Sequence, residues 1–333
     1  MGATTCEPDS RPLIALTAGD PAGIGPEIVR AVLADPALFE HLRLLAIGPA
    51  AERPASVARY DPGTDPRRIA RAAWLESAAP EPYELGRPQR GAARAALAAL
   101  RAGHELAYAH AVDALVCAPV SKEALHLAGE RVEGQTELLG RWSGVDAQML
   151  GIARELRVLL LTRHVPLAAA LAAVEEERVL EHLQLFDRGL RQLGNAAPRL
   201  ALAGLNPHAG ENGLLGDEEE RVLAPAVRAA RLRGIDVTGP LPPDSVFLRA
   251  AGGEFDGVLA LYHDQAFIPL KLHAPREGLT VLLGLPYLRV SPAHGTAFDI
   301  AGTGCADPGN LVVALRAAAR YAPCYGRSTS ARS

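Results

Sequence analysis

The amino-acid sequence predicts an α/β protein built on mostly parallel sheets. Apolar runs of strand length alternate along the chain with helical segments, as in LIALTAG (13–19), which precedes the amphipathic IVRAVLAD. Continuous apolar runs are typical of strands buried on both faces, and alternating strands and helices favour parallel pairing through right-handed crossovers. The chain has 333 residues, enough for one large or two ordinary domains.

Each further apolar run along the chain predicts another strand. These strands lie over 13–19, 42–48, the start of 113–125, 156–162, 199–205, 257–261, 280–285 and 287–291. Helical patterns occupy 91–112, 166–194, 218–234 and 310–322. Residues 49–92 are rich in Pro, Ala and Arg, which predicts a surface excursion. Residues 239–247 are predicted to form a rigid turn. In the alanine-rich helix, His104 and His110 are expected at the surface.

The composition excludes several classes of function. The formal net charge is −4, with 22% charged residues, and no basic stripe interleaved with aromatics predicts a nucleic-acid partner. No apolar run has the length of a membrane span, and the amino terminus has no apolar signal core, so no membrane partner is expected. Cys6, Cys117, Cys305 and Cys324 are far apart, which is typical of reduced thiols in a cytoplasmic protein.

Three predicted strands run into a histidine at their carboxyl ends, where α/β proteins place ligands. These residues are His164, His208 and His263. Three converging imidazoles suit a catalytic divalent metal with one open coordination position. Each histidine alone is also compatible with a hydrogen-bonded core imidazole, and no local motif such as HExxH decides between the two. Asp264 is a candidate to orient a neighbouring ligand.

Two cationic residues indicate the charge of the substrate. Lys271 and Arg289 are candidates for binding an anionic substrate, since a guanidinium pairs bidentately with phosphate or carboxylate. The residues alone therefore predict a metal-assisted enzyme that acts on a small anionic molecule.

The turn LTAGDPAGIGPE (16–27) places glycines before a helix amino terminus, where a backbone can approach an anion. It matches neither familiar nucleotide signature, because the third glycine of GxGxxG falls at Ile28 and no GK[ST] follows. A plain strand–turn–helix connection is the alternative interpretation. The cofactor-binding residues are therefore unknown from the sequence.

Several sequence blocks between about residues 12 and 320 occur in a recognisable order: LTAGDPAGIGPE, GQTE, TRHVPL, NPHAGENG, GPLPPDSVF, YHDQ followed by P-L-K, GLPYLRVS and HGTAFDIAGTG. In order and spacing these blocks resemble the 4-hydroxythreonine-4-phosphate dehydrogenase family, which comprises the pyridoxal phosphate biosynthesis enzyme and its paralogues.

The resemblance implies two α/β/α domains, similar in fold to isocitrate and isopropylmalate dehydrogenases, with the active site in the interdomain cleft. Residues 12–133 and 290–325 would form the first domain and 134–289 the second, with 1–11 and 326–333 disordered. It also implies a homodimer that shares the metal site across its interface.

Site residues follow from the same resemblance. His164, His208 and His263 would hold the metal, two from one subunit and the third from its partner. Zinc is the expected metal, with cobalt, manganese, nickel or magnesium as alternatives, and NAD or NADP is the expected cofactor. The family's other functional residues match Lys271 and Asp244 as catalytic groups and Gln135, Thr136, Lys271, Thr280 and Arg289 as substrate-binding groups.

The implied reaction is NAD(P)-dependent oxidation of the C3 hydroxyl of 4-phosphohydroxy-L-threonine, or a similar phosphorylated four-carbon hydroxy acid, followed by decarboxylation. Three positions depart from the family pattern: Gln135 replaces a histidine, Thr280 an asparagine and Ala293 an acid. Glutamine can hydrogen-bond but cannot act as a cation or a general acid or base. The departures therefore leave the exact substrate open.

Other functions are compatible with the same residues. A paralogue could act on 4-phosphothreonate, 4-phosphoerythronate or a dihydrodiol carboxylate. A phosphotransacetylase-like acyltransferase has a comparable fold but no evident use for three strand-end histidines. A third class is a non-catalytic homologue that binds a phosphorylated metabolite.

Overall fold

The computed structural model of the protein describes residues 9–78 and 81–325. In chain order its strands are β1 (Leu13–Thr17), β2 (Arg43–Gly48), β3 (Ala58–Arg59), β4 (Ala72–Glu76), β5 (Ala114–Cys117), β6 (Gln148–Ala153), β7 (Leu156–Leu160), β8 (Leu200–Ala203), β9 (Val237–Leu241), β10 (Gly257–Ala260), β11 (Gly278–Leu283) and β12 (Arg289–Pro292). Its α-helices are α1 (Gly25–Ala34), α2 (Arg90–Tyr108), α3 (Lys122–Leu127), α4 (Gln135–Ser143), α5 (Leu167–Ala172), α6 (Glu176–Gln192), α7 (Ala224–Leu232), α8 (Pro243–Ala251), α9 (His263–His273) and α10 (Gly309–Tyr325). The predicted α/β class with mostly parallel strands is confirmed.

The chain divides into two compact units. The first takes the described residues up to Arg131 together with Tyr287–Val290 and Gly295–Pro323. The second takes Val132–Pro286, Ser291–His294 and the described residues from Cys324 onward. The return of the chain to the first unit is therefore interrupted by a four-residue stretch that belongs to the second.

The first unit contains the parallel strand order β3-β4-β2-β1-β5, and Arg289 and Val290 of β12 pair in parallel with β5. All five residues of β1 are buried, as expected for a strand covered on both faces. Helix α2 approaches the sheet closely because of a glycine: a Cβ at Gly103 would lie 2.8 Å from Leu115 Cδ1 and 3.0 Å from Thr17 Cγ2.

His104 is buried, against the expectation that it lies at the surface. Its ring is 6% exposed, and its Nδ1 lies 2.8 Å from the Tyr287 hydroxyl. Burial lowers the pKa of this imidazole. The physical reason is helical spacing, because His104 shares the buried face of α2 with Leu100 and Ala107. His110 is exposed, as expected.

The second unit contains the sheet order β11-β6-β7-β10-β8-β9. Strand β6 runs antiparallel to both β11 and β7, and the pairings from β7 through β10 and β8 to β9 are parallel. Val258 of β10 pairs with Val158 of β7 and with Ala201 of β8. Because these three strands are parallel neighbours, their carboxyl ends lie at the same edge of the sheet.

Helices cover both faces of this second sheet. Val246 and Phe247 of α8 and Ala266 and Leu270 of α9 join the apolar core on the face of Val258. On the opposite face Phe186 of α6 packs directly against Gly257. The two faces alternate along β10, so this strand is buried throughout.

Some elements differ from those expected. The predicted surface excursion contains β4, whose Trp74 is fully buried and pairs with Ala46 of β2. The sequence did not predict this strand, because AAWLE is a short run between Pro- and Arg-rich segments. The predicted rigid turn over 239–247 is divided between β9 and α8, because the prolines suit the first turn of a helix.

The predicted disordered ends are only partly described. Residues 1–8 and 326–333 lie outside the described residues. The remaining predicted leader is held in place, since Arg11 donates to the Ala70 carbonyl over 2.8 Å and Arg43 lies 3.8 Å from the Asp9 carboxylate. Within 9–78 and 81–325, no helix is both long enough and apolar enough to cross a membrane.

The contact between Gly257 and Phe186 can be tested by substitution. A Cβ at Gly257 would lie 2.3 Å from Phe186 Cζ, and Phe186 is fully buried. We expect Gly257→Ala to lower the free energy of unfolding by about 1–3 kcal/mol through overpacking, measured by urea denaturation.

The matched control is Gly252→Ala in the same unit. Gly252 is exposed at the end of α8, has a φ of −78°, and the nearest atom to its Cβ would be 3.4 Å away. Its effect should stay within about 0.5 kcal/mol. Equal effects of the two substitutions would contradict the packing argument.

Candidate functional site

The three histidines singled out in the sequence follow neighbouring strands of the second unit. His164 comes four residues after β7, His263 opens α9 directly beyond β10, and His208 lies in the loop after β8. The side chains therefore emerge from the carboxyl edge of one parallel sheet, the usual location of ligand sites in α/β proteins.

His164 and His263, here called the histidine pair, lie close together. Their ring centroids are 5.4 Å apart. His263 stacks on Phe267 with centroids 4.7 Å apart, and its Nδ1 lies 2.7 Å from the Asp264 carboxylate. This carboxylate orients the ring and leaves Nε2 available to a ligand, so Asp264 has the predicted orienting position. His164 Nδ1 lies 3.7 Å from Glu133.

A pocket with a volume of about 290 Å³ surrounds the histidine pair. Its wall combines apolar and polar side chains: Arg163, His164, Val165, Leu167, Ala170, Tyr262, His263 and Asp264. The guanidinium of Arg163 is anchored, since it donates to the Ala147 carbonyl over 2.6 Å and lies 3.3 Å from Glu137 of α4. A mixed pocket of this kind, at a strand edge, suits a small polar ligand.

The histidine pair has the chemistry of two metal ligands. Neutral imidazoles are common ligands of divalent metals, and the Asp264 contact is the type of support such ligands usually have. His208 does not complete the centre within one chain, because the described residues include no group of three or more His, Cys, Asp or Glu side chains that could hold a metal ion. The donor set of one chain therefore fits two of the three expected ligands.

The loop that carries His208 has an unusual backbone. His208, Ala209, Glu211 and Asn212 all have positive φ, between 45° and 56°. Gly210 within this run and Gly213 directly after it also have positive φ, of 80° and 86°. The left-handed region costs a non-glycine residue roughly 1–2 kcal/mol. Such a run persists only where surrounding contacts determine the conformation, and strained backbone of this kind is concentrated at functional sites.

A buried glutamine links the strand ends that bear these histidines. Gln265 is 8% exposed; its side-chain oxygen accepts from the Leu261 amide over 2.7 Å, and its side-chain nitrogen donates to the Gly204 carbonyl over 2.8 Å. The Thr162 hydroxyl donates to the Leu261 carbonyl over 2.8 Å. These bonds fix the ends of β7, β10 and β8 relative to one another.

The other predicted site residues are distributed over several elements. Gln135 and Thr136 begin α4, where Thr136 is 5% exposed. Asp244 lies exposed in the first turn of α8. Lys271 is exposed on α9, eight residues beyond His263 and thus about 12 Å along the helix. Neither Asp244 nor Lys271 is among the residues that line the pocket.

Thr280 and Arg289 are buried rather than displayed. Thr280 is 7% exposed, and its hydroxyl lies 2.7 Å from the hydroxyl of Ser291, which is 8% exposed. Arg289 opens β12 and is 3% exposed. Ala293, the third departure from the family pattern, packs within 3.2 Å of the position of a Cβ on Gly278.

The glycine-rich turn after β1 packs closely against backbone carbonyl groups of the same chain. A Cβ placed on Gly19 would lie 2.5 Å from the carbonyl oxygen of Pro119. A Cβ on Gly23 would lie 2.8 Å from the carbonyl oxygen of Thr296, and a Cβ on Gly25 would lie 2.2 Å from the carbonyl oxygen of Ala18. The Ile24 amide donates to the Thr296 carbonyl over 3.0 Å. Close backbone packing therefore accounts for these glycines, in agreement with the plain strand–turn–helix interpretation.

Asp20 in this turn is completely buried. One carboxylate oxygen accepts from the Ala22 amide over 3.0 Å, and the other is buried with no hydrogen-bond partner among the described residues. Burial raises the pKa of Asp20 to about 6. A buried carboxyl with this environment favours its neutral form.

Sequence reasoning missed the residues that support the loops. Gln265 was visible only as one of four polar residues after a strand, and Glu219 lies in EEERVL, which has the pattern of a solvated charged face. Neither has a local signal, because each bonds to residues remote in the chain, such as Gly204 for Gln265.

Replacing Gln265 by leucine tests the hydrogen bonds with which its side chain joins Leu261 and Gly204. The substitution leaves the Leu261 N–H and the Gly204 carbonyl buried without partners, at about 1–3 kcal/mol each. We expect Gln265→Leu to lower the free energy of unfolding accordingly, measured by urea denaturation.

Gln148→Leu is the matched control for this change. Gln148 is 6% exposed, but it donates to the carboxylate of Asp146, an exposed residue that water can solvate after the substitution. If Gln148→Leu lowers the free energy of unfolding as much as Gln265→Leu does, the two hydrogen bonds of Gln265 have no special role in stability.

The environment of Asp20 predicts a pH dependence. Between about pH 4 and pH 6 the native state holds a proton that the unfolded state has released, so stability falls as pH rises through this range. Asp20→Asn removes this titration. Its stability relative to the natural protein should rise by up to about 3 kcal/mol between pH 4 and pH 7, measured by urea unfolding at each pH. A difference that does not change with pH would refute the assignment.

Known proteins share this sequence and fold. The profile of the family described as "Pyridoxal phosphate biosynthetic protein PdxA" matches residues 30–318. The 4-hydroxythreonine-4-phosphate dehydrogenase of Desulfosudis oleivorans is 40% identical, with 96% of this chain and 99% of the relative covered. The D-threonate 4-phosphate dehydrogenase of Salmonella typhimurium is 41% identical, with 93% and 98% covered.

A solved structure agrees with the sequence relatives. The crystal structure of 4-hydroxythreonine-4-phosphate dehydrogenase from Klebsiella pneumoniae is similar with a TM-score of 0.86 at 39% identity, covering 95% of this chain and 99% of that one. The resemblance found in the sequence blocks is thereby confirmed. The chain belongs to the PdxA family.

Proposed function

We propose that the chain is an NAD(P)-dependent decarboxylating dehydrogenase that oxidises the C3 hydroxyl of a four-carbon hydroxy acid phosphorylated at C4. The observation that carries this proposal is similarity over 93% or more of the chain to relatives named 4-hydroxythreonine-4-phosphate dehydrogenase and D-threonate 4-phosphate dehydrogenase. Both names describe a four-carbon acid with a phosphate at C4. Membership of the PdxA family supports an oxidoreductase that acts on a CH–OH group.

4-Phosphohydroxy-L-threonine is our first candidate substrate, which would give the protein a role in pyridoxine biosynthesis. D-threonate 4-phosphate is the second, favoured by the 41% identity to a relative of that name and by Gln135 and Thr280, which replace a histidine and an asparagine of the family pattern. The two acids differ in the group on C2, and a change in polar contacts at the site would discriminate between them.

The reaction has two balanced steps. The C3–H bond gives its hydrogen and electron pair to NAD(P)⁺, the hydroxyl releases its proton, and C3 becomes a ketone. The C1–C2 bond then breaks, carbon dioxide leaves, and a proton is added at C2. We assign the proton transfers to Asp244 and Lys271, and binding of the anionic groups to Lys271 and Arg289 with Gln135 and Thr136.

We assign His164, His208 and His263 to a divalent metal, with zinc as the first choice. When bound, the metal supplies a Lewis acid at the C3 oxygen and the nicotinamide supplies the hydride acceptor. Asp264 fixes the orientation of His263, and Arg163, which lines the pocket, is anchored by its contacts with Ala147 and Glu137.

A homodimer is part of the proposal. One chain offers the histidine pair, and His208 is exposed on a loop whose Leu214 is 80% exposed. Ile268 and Leu272 on α9 are 57% and 79% exposed. Ile268 and Leu272 are four residues apart and share one face of α9, and adjacent exposed apolar residues are typical of interaction surfaces. A second copy of the chain could cover them and complete the metal site with its own histidine.

The cytoplasm is the compartment we propose, since the described cysteines are free thiols.

The test is formation of reduced nicotinamide by the purified protein. The panel contains 4-phosphohydroxy-L-threonine, D-threonate 4-phosphate, 4-phosphoerythronate and a cis-dihydrodiol dicarboxylate, each with NAD or NADP and with or without a chelator. We expect chelator-sensitive turnover of one phosphorylated four-carbon acid, with carbon dioxide released in equal amount. Turnover of the dihydrodiol alone, or acyl transfer without nicotinamide reduction, would overturn the proposal.

His263→Asn provides the residue-level test. Changes to groups that merely support a ligand typically cost 10–100-fold, so loss of the ligand itself should lower kcat/KM by at least about a hundredfold. His110→Asn is the matched control, because His110 is exposed in the first unit and asparagine tolerates its φ of 53°. Equal activity of both variants would contradict the metal assignment.

A further inference from the structure

The loop from Asn206 to Gly216 needs an external support for its left-handed run. The left-handed residues between His208 and Gly213 lack the backbone pattern of an ordinary helix or strand. His208 itself is exposed and has a φ of 53°. A histidine presented on such a backbone would lose its position if the segment relaxed to the common right-handed conformation.

Glu219 supplies the missing support. It is 3% exposed, and one carboxylate oxygen accepts from the backbone amides of Leu205 over 2.8 Å and Asn206 over 2.7 Å. Its other oxygen accepts from the Asn206 side-chain amide over 2.9 Å. The same amide donates to Glu218 over 2.8 Å, which lowers the pKa of Glu218. A buried carboxylate thus holds the first residues of the loop through three hydrogen bonds.

The far side of the loop closes on the same two residues. A Cβ at Gly210 would lie 2.9 Å from the Glu219 carboxylate, and a Cβ at Gly216 would lie 2.5 Å from the Asn206 side-chain amide. Both glycines have positive φ. Glycine is therefore required at both positions by conformation and by the close approach to Glu219 and Asn206.

Glu219 also interrupts the regular helix that follows. Glu219–Leu223 forms a π-helical turn that continues into α7. Such turns are rare in proteins as a whole, but those that occur are often located at functional sites. Neutral N–H groups of Leu205 and Asn206 donate to the Glu219 carboxylate, so hydrogen bonds from the start of the loop compensate for its burial.

We propose that Glu219 is a positioning residue that keeps the His208 loop in its left-handed conformation and so presents the His208 imidazole for metal binding. The inference rests on the proposed function, since it needs His208 as a ligand. It adds that the position of this ligand is set by a carboxylate eleven residues further along the chain, which itself does not contact the metal.

The experiment measures metal binding by the full-length protein with Zn²⁺ or Co²⁺ alone, using a chromogenic chelator in competition and the visible spectrum of bound Co²⁺. In Glu219→Gln the second side-chain atom becomes a donor and faces the Asn206 amide, which is also a donor. We expect the metal affinity to fall by about tenfold or more and the Co²⁺ spectrum to change. Proteolytic cleavage within 206–216 should become faster.

Two controls separate positioning from general destabilisation. Glu220→Gln makes the same change at the adjacent exposed residue and should leave metal affinity unchanged. Gly257→Ala destabilises the unit elsewhere and should lower Tm without altering metal affinity. If Glu219→Gln fails to fold, Gly216→Ala disturbs the Asn206 contact from the loop side and should weaken metal binding in the same direction.

The outcomes distinguish this inference from the proposed function. Natural metal affinity and an unchanged Co²⁺ spectrum in Glu219→Gln, with reduced affinity in His208→Ala, would overturn the positioning role and leave the metal site intact. Unchanged affinity in His208→Ala would show that His208 is not a ligand, which overturns both. Reduced affinity in Glu219→Gln and His208→Ala, but not in the two controls, is the result we expect.

Discussion

The parallel alignment of β7, β10 and β8 is the constraint on which the candidate site depends. Parallel neighbours end at the same edge of a sheet, so the segments that follow them are brought together whatever their distance in the sequence. Gln265 and Thr162 then fix these segments by hydrogen bonds to backbone groups that would otherwise be buried and unpaired. The same bonds that complete the fold therefore also set the positions of the histidines.

Polar groups support the site at two levels. Asp264 contacts His263 directly and determines which ring nitrogen remains available. Glu219 acts further away, through the backbone of a loop that would not keep its conformation alone. Buried polar networks of this type are effective only when each member is satisfied, and the close approach of Gly210 to the Glu219 carboxylate and of Gly216 to the Asn206 side chain leaves no room for a larger residue at either position.

The departures from the family pattern have different environments. Gln135 is partly exposed at the start of α4, two residues before the Glu137 that contacts Arg163 of the pocket wall. Thr280 is buried and bonded to Ser291, so its hydroxyl already has an internal partner. The two substitutions therefore differ in accessibility: a ligand can reach the glutamine side chain, whereas the threonine hydroxyl is enclosed within the unit.

The sequence by itself determined the α/β class, most strands, the strand-end histidines and the family, because these depend on local apolar runs and on blocks of residues kept in order. It did not determine the burial of His104, the strand around Trp74 or the partners of Gln265 and Glu219. Those features depend on contacts between residues far apart in the chain, such as the 61 positions that separate Gln265 from Gly204. Only the tertiary structure decided that a charged residue in EEERVL is buried, because its hydrogen-bond partners exist only once the His208 loop is folded around it.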